Sequence, residues 1–268
     1  MAPATLTQSV DHVKGFFERL RTELGFYLGC VNLHARLTKS DVPTCFPTAT
    51  PVVPAELRCR DLRDVGLCLT TAKPVTGNDV DADGKSLVMV TGANEGGKST
   101  FLRSVGAAQT MMQAGMFVTA KAFHANVTRG LFTHFKREED ATMTSGKLDE
   151  ELARMSEIAD CIGWKSLLLC NESFASTNER EGAQIARGVI DAFNEAGIKV
   201  VYVTHLYDLA HSLHTRHDTD HLFLRAERHD DGVRTFRLMP AEPEPTSYGE
   251  DSFLRIFGTP VGADTGGR

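Results

Sequence analysis

A chain of 268 residues, 41% of them hydrophobic, is long enough for one large α/β domain, alone or with an appendage, around a substantial core. Its formal net charge of −6 excludes broad, nonspecific coating of nucleic acid, although not a local basic patch. There is no run of about 18 apolar residues and no basic-led apolar leader, which predicts a soluble, cytoplasmic protein without a membrane partner. The six cysteines form no C-x-x-C pair. Cys161 and Cys170 lie in apolar stretches and read as buried, reduced thiols.

Apolar residues recur at three- and four-residue steps from 7 to 38, from Val10 and Val13 through Val31 to Leu37. This spacing predicts an amphipathic helix on the order of 45 Å long, weakened midway by Gly25 and Gly29. It reads either as a lever or docking surface or as a plain core helix. Four prolines in residues 41–56 break regular structure and mark a linker. Residues 57–69 read as irregular strands at a sheet edge, and 74–83 as a turn-rich approach. The apolar run 87–90 predicts a fully buried strand, followed by a glycine-rich turn and a helix through Phe101, Leu102 and Val105. Residues 116–118 and 131–135 suggest short strands, and 136–147 turns polar. Helical spacing resumes over 148–162, a second buried strand covers 167–170, and a helix follows over 179–196. The strand 200–203 ends at Thr204 and His205. A hairpin is predicted from 221–228 and 233–239 around an H-D-D-G turn, with a last helical turn or two near 252–257. Strands alternating with helices imply a mainly parallel sheet covered on both faces, whose ligands sit at the strands' carboxyl ends.

The chemistry concentrates at three such ends. Gly92, Gly97, Lys98 and Ser99 fit G-x-x-x-x-G-K-[ST] without a gap. Glycines let backbone N–H groups approach phosphate oxygens, and the following helix aims its positive dipole end at the same anion. Lys98 suits the β- and γ-phosphates, and the Ser99 hydroxyl suits Mg²⁺. Hydrolysis also needs a group to steady the metal shell and one to activate water. The run LLLCNES offers Asn171 and Glu172. Many P-loop ATPases have Asp-Glu here. An amide still accepts a bond from metal-bound water but brings no charge, so Mg²⁺ affinity should suffer. The bland alternative makes Glu172 an ordinary surface acid.

Together TGANEGGKSTFLRSVG, NESFASTNEREG and VYVTHLYDLA resemble the ATPase domain of the MutS family of mismatch-repair and recombination proteins. Thr91, Gly92, Asn94 and Gly96 to Thr100 match the family's T-G-P-N-M-G-G-K-S-T, whereas Ala93 and Glu95 depart from it, and stand-alone bacterial MutS-like ATPases look closer there. The resemblance implies a P-loop NTPase fold of ABC/MutS type, with residues 92–100 binding ATP. It implies that Asn78, in an N-D motif, lies next to the adenine, and that His205 is the switch histidine, against the commoner structural role for a histidine after a strand. Ser176, Thr177 and Asn178 resemble the turn after the second strand. Ser145 followed by Glu150 loosely resembles the signature segment that one subunit presents to its partner's nucleotide.

These parallels imply an N-terminal lever-like segment (1–40), the linker (41–56), an ATPase domain (57–258) and a flexible tail (259–268). They imply ATP and Mg²⁺ as cofactors, a homodimer, and DNA or a DNA-acting protein as partner. No segment resembles the family's mismatch-reading domain, complete lever and clamp, or nuclease appendage, so direct mismatch recognition is not carried over. A non-catalytic, nucleotide-gated interaction module is the competing reading. A small-molecule kinase fits poorly, because no lid-like arginine cluster occurs.

Overall fold

The computed structural model describes residues 2–51, 55–136, 146–228 and 234–245. In chain order the elements are α1 (Ala2–Lys39), β1 (Thr48–Thr50), β2 (Leu57–Leu62), α2 (Val65–Thr70), β3 (Asn78–Asp81), β4 (Leu87–Thr91), α3 (Lys98–Gln113) and β5 (Ala122–Asn126). There follow β6 (Leu131–Phe135), α4 (Lys147–Cys161), β7 (Leu167–Asn171), α5 (Glu179–Glu195), β8 (Lys199–Val203), α6 (Tyr207–His214), β9 (His221–Arg228) and β10 (Arg234–Pro240).

Strand β4 lies inside a six-stranded sheet of order β10-β9-β4-β8-β7-β6, and all five of its residues are buried. Its side chains alternate between two cores, as the period of two demands. Val88 and Val90 join Phe101, Leu102 and Val105 of α3, while Leu87 and Met89 join Ala186 and Ile190 of α5 and Leu209 of α6. Helices α4, α5 and α6 therefore cover one face. The other is covered by α3 and, beyond it, a four-stranded sheet of order β1-β5-β2-β3. Parallel pairing is confined to β9-β4-β8-β7-β6 and to β1-β5; β10–β9, β2–β3 and β2–β5 are antiparallel. The mainly parallel expectation thus holds for the central sheet and fails for the second one. Among the described residues, no helix is long and apolar enough to cross a membrane.

Several local expectations are corrected. The proline-rich stretch contains β1, because Pro47 and Pro51 bracket three residues free to pair with β5. Residues 57–69 form an inner strand and a helix instead of an irregular edge. Leu57, Cys59 and Leu62 face inward, and Asp64 caps α2 by accepting from the Leu67 amide at 2.9 Å. Residues 78–81 form β3. The strand expected at 116–118 reduces to one bridge, Val118 to Cys45, and the true strand is β5. Cys161 ends α4 exposed, not buried. Cys170 is buried, which pushes its thiol up to about 12. Helix α1 runs through Gly25 and Gly29, and only its last turns are core, where Leu33 and Leu37 pack near Cys68 and Phe117. The H-D-D-G turn and residues 252–257 lie outside the described residues.

Candidate functional site

Because β4, β8 and β7 are neighbouring parallel strands, their carboxyl ends lie side by side, with Val90 and Asn171 each paired to Val203. The first end is the loop from Gly92 to Gly97. Gly92 sits at φ 110°, and a Cβ there would come within 2.9 Å of the Ala226 nitrogen. Gly97, at φ 91°, starts α3 without a side-chain cap, leaving the helix's first N–H groups for an acceptor in the loop. Lys98 is buried and donates to the Gly92 and Ala93 carbonyls at 2.8 and 2.9 Å. Burial lowers its pKa, Glu172 opposes that shift, and the positive charge of Arg234 adds to it.

The Ser99 hydroxyl donates to Asn171 Oδ1 at 2.7 Å, joining the first end to the second. Glu172 follows at φ 55°, a conformation that non-glycine residues adopt only when the surroundings hold it. Here the Glu172 amide donates to the Val203 carbonyl at 2.9 Å. Next to it, Ser173 donates to the His134 carbonyl at 2.9 Å and accepts at its own carbonyl from the Tyr202 hydroxyl at 2.8 Å. On the third end, His205 donates from its amide to Glu172 Oε2 at 3.3 Å and sets its Nδ1 against the same oxygen. The hydrogen bond to Glu172 raises the His205 pKa above its ordinary 6.5, against the effects of burial and of the Lys136 and Lys98 charges.

The first two ends border a cleft of about 460 Å³, a size suited to a small ligand, and the third stands behind Glu172. Asn94 to Thr100 and Glu172 line its polar side, and Leu67, Thr71, Pro74, Val75, Thr76, Asn78 and Phe236 line the opposite wall. Gly92 and Ala93 stand behind the lining as acceptors for Lys98. Asn78 is buried, with both halves of its amide engaged: Nδ2 donates to the Phe236 carbonyl at 3.3 Å and Oδ1 accepts from the Leu238 amide at 2.7 Å. Asn78 thereby fixes the strand that presents Phe236, a residue 48% exposed. Sequence reasoning missed Phe236, Leu67 and Val75. The Asp64 cap was one available signal, since Arg103 of α3 donates to Asp64 at 3.0 Å and ties α2 to the loop helix. Glu95 lines the cleft and pairs with Arg234.

Of the other expected site residues, Asn171 and His205 do not line the cleft and reach it through Ser99 and Glu172. Ser145 lies outside the described residues. Glu150 pairs with Arg154 on α4, and Arg154 donates to the Phe135 carbonyl at 3.1 Å. No group of three or more His, Cys, Asp or Glu suited to a metal occurs among the described residues. The Ser99 and Asn171 oxygens are hard donors of the kind Mg²⁺ takes while keeping several waters, so the donor type fits.

Comparison with known proteins follows the same lines. Residues 88–259 match MutS domain V, and residues 2–40 match the MutS2 N-terminal domain. The chain is 30% identical over 179 residues to "DNA mismatch repair protein MutS 2" of Halobacterium salinarum, covering 66% of this chain and 21% of that protein. It is 31% identical over 190 residues to "Endonuclease MutS2" of Latilactobacillus sakei, covering 70% and 23%. It is 26% identical over 188 residues to "MutS protein homolog 4" of Mus musculus, covering 68% and 20%. The chain thus spans about a fifth of the length of these relatives. With domain V matched over more than half of its residues, the chain belongs to the MutS family.

Proposed function

We propose that the cleft binds ATP with Mg²⁺, that the protein hydrolyses the nucleotide, and that the cycle serves DNA repair or recombination through a homodimer acting on DNA or on a DNA-acting protein. The observation that carries this reading is the hydrogen bond from Ser99 to Asn171, with Lys98 and Glu172 on either side of it. Residues 92–97 and the first turn of α3 would cradle the phosphates, and Lys98 would exchange its two carbonyl partners for phosphate oxygens. Ser99 and Asn171 would hold Mg²⁺, which when bound neutralises charge building on the β- and γ-phosphates. Glu172 would take the proton of the attacking water. His205 holds the Glu172 carboxylate in place and, as its hydrogen-bond donor, moderates its basicity. The Phe236 face would take the base.

The name of the Halobacterium salinarum relative supports the repair setting. The resemblance of Ser145 and Glu150 to a signature segment supports a site completed by a second chain. One observation favours a second reading, a nucleotide-gated module with weak or no turnover. Asn171 is neutral, so of the two residues that close β7 toward the cleft only Glu172 brings a carboxylate.

Mg²⁺ titration of ATP turnover separates the two readings. Under the catalytic reading, Asn171→Asp adds a carboxylate at the metal shell and lowers the Mg²⁺ needed for half-maximal turnover several-fold. An unmoved titration curve contradicts a metal-facing Asn171. No turnover at any Mg²⁺ concentration, in either protein, leaves the module reading.

A further inference from the structure

Helix α1 carries a long apolar face that nothing among the described residues covers. Val10, Phe17, Leu24 and Val31 alternate with Val13, Leu20 and Tyr27 in steps of three and four. That period of 3.5 is shorter than the 3.6 of a straight helix, so the stripe keeps one heading only when the helix winds around another helix. Leu20 is half-buried. The other six range from 51% exposed at Leu24 to 64% at Tyr27 and Val31. Among the described residues Cys30, Leu33 and Leu37, with the His34 ring against Phe117, pack onto the body, on a different side of the helix. Asp11, His12, Glu18, Arg19 and Thr22 occupy the face away from the stripe. In proteins most helical stability comes from covering such a face.

We infer that α1 forms a parallel two-stranded coiled coil with α1 of a second copy of this chain. With Val10 and its equivalents as one seam position and Val13 and its equivalents as the other, the flanking residues choose the orientation. In a parallel pair Phe16 faces Arg21 of the second copy and Glu23 faces Leu28, so no like charges meet. An antiparallel pair sets Arg21 against Arg21 and Glu23 against Glu23. The seam and its flanks cover on the order of 1,400 Å² over both helices, within the 1,200–2,000 Å² of a stable specific interface. The parallel arrangement brings both nucleotide-binding bodies to the same end of the coil. It goes beyond the proposed function and does not depend on nucleotide.

The test is sedimentation of the full chain without nucleotide at tens of micromolar. Wild type is expected to be a dimer and the Phe17→Glu/Leu24→Glu variant a monomer, with a fluorescent ATP analogue still bound within about twofold. Mild oxidation of Tyr27→Cys is expected to give a covalent dimer well above the wild-type background, since a parallel seam sets position 27 against itself and an antiparallel one sets it against position 17. A wild-type monomer overturns the inference. So does a dimer that forms only with ATP, a dimer that survives both charges, or a Tyr27→Cys chain that does not cross-link. Failure of ATP binding in wild type would defeat the proposed function and leave this test unaffected.

Discussion

The two walls of the cleft are built in opposite ways. The phosphate side is local: one strand, one turn and one helix within residues 87–113 supply main-chain N–H groups, a lysine and a hydroxyl. The opposite wall is assembled from afar. Asn78 meets Phe236 and Leu238 across 158 and 160 residues, and Leu67 and Val75 come from a helix and a loop before the sheet. A binding function can therefore be specified by a short motif at one end while the other end is left to tertiary assembly. In the proposed function the charged end takes the phosphates, and the apolar end takes whatever they are attached to.

Substitutions on the two walls should separate these roles. The largest effect is expected at Lys98, which stands in the β4–α3 turn and lines the cleft. Lys98→Ala should weaken ATP binding by at least about a hundredfold, leave adenosine binding unchanged and preserve the fold, by calorimetry and thermal melting. Equal losses for ATP and adenosine would erase the distinction between the walls. Phe236→Ala should do the reverse: about a five- to tenfold loss for ATP and adenosine alike, because only the stacking face is removed. A loss confined to ATP would move Phe236 to the phosphate side.

The smallest effect concerns His205. Its imidazole should titrate above 6.5 by NMR, because Glu172 favours the protonated form, and Glu172→Gln should bring the titration back down. The sign for stability follows. The pair's contribution is fully present below the ordinary imidazole value and is lost as pH rises through the raised one. The stability cost of Glu172→Gln should shrink over that window. A His205 titration that the variant does not move would separate the two residues in solution.

The same contrast explains what could be read from the sequence. The loop at Gly92–Ser99 and the ends at Asn171–Glu172 and Thr204–His205 follow apolar runs that must be buried strands, and adjacent parallel strands put their ends together. The second sheet was not legible. β5 reads AFHAN, and its alternation is weak; β1 is three residues between prolines; and β3 reads NDVD, with one apolar residue. Such strands are fixed by their neighbours and not by propensity. Phe236 was invisible for the same reason, and Asn78 was found by resemblance alone, although its contacts are structural. The exposure of Cys161 could not be seen, because an apolar flank does not reveal which face of a helix end meets water.

In the proposed function Glu172 activates water for hydrolysis of ATP held in this cleft. Its most direct test is to measure ATP affinity and Mg²⁺-dependent turnover side by side in wild type and Glu172→Gln. Affinity within about threefold of wild type is expected, with turnover reduced by at least about a hundredfold, the usual loss when a general base is removed. Turnover near that of wild type, with ATP still bound, would contradict it.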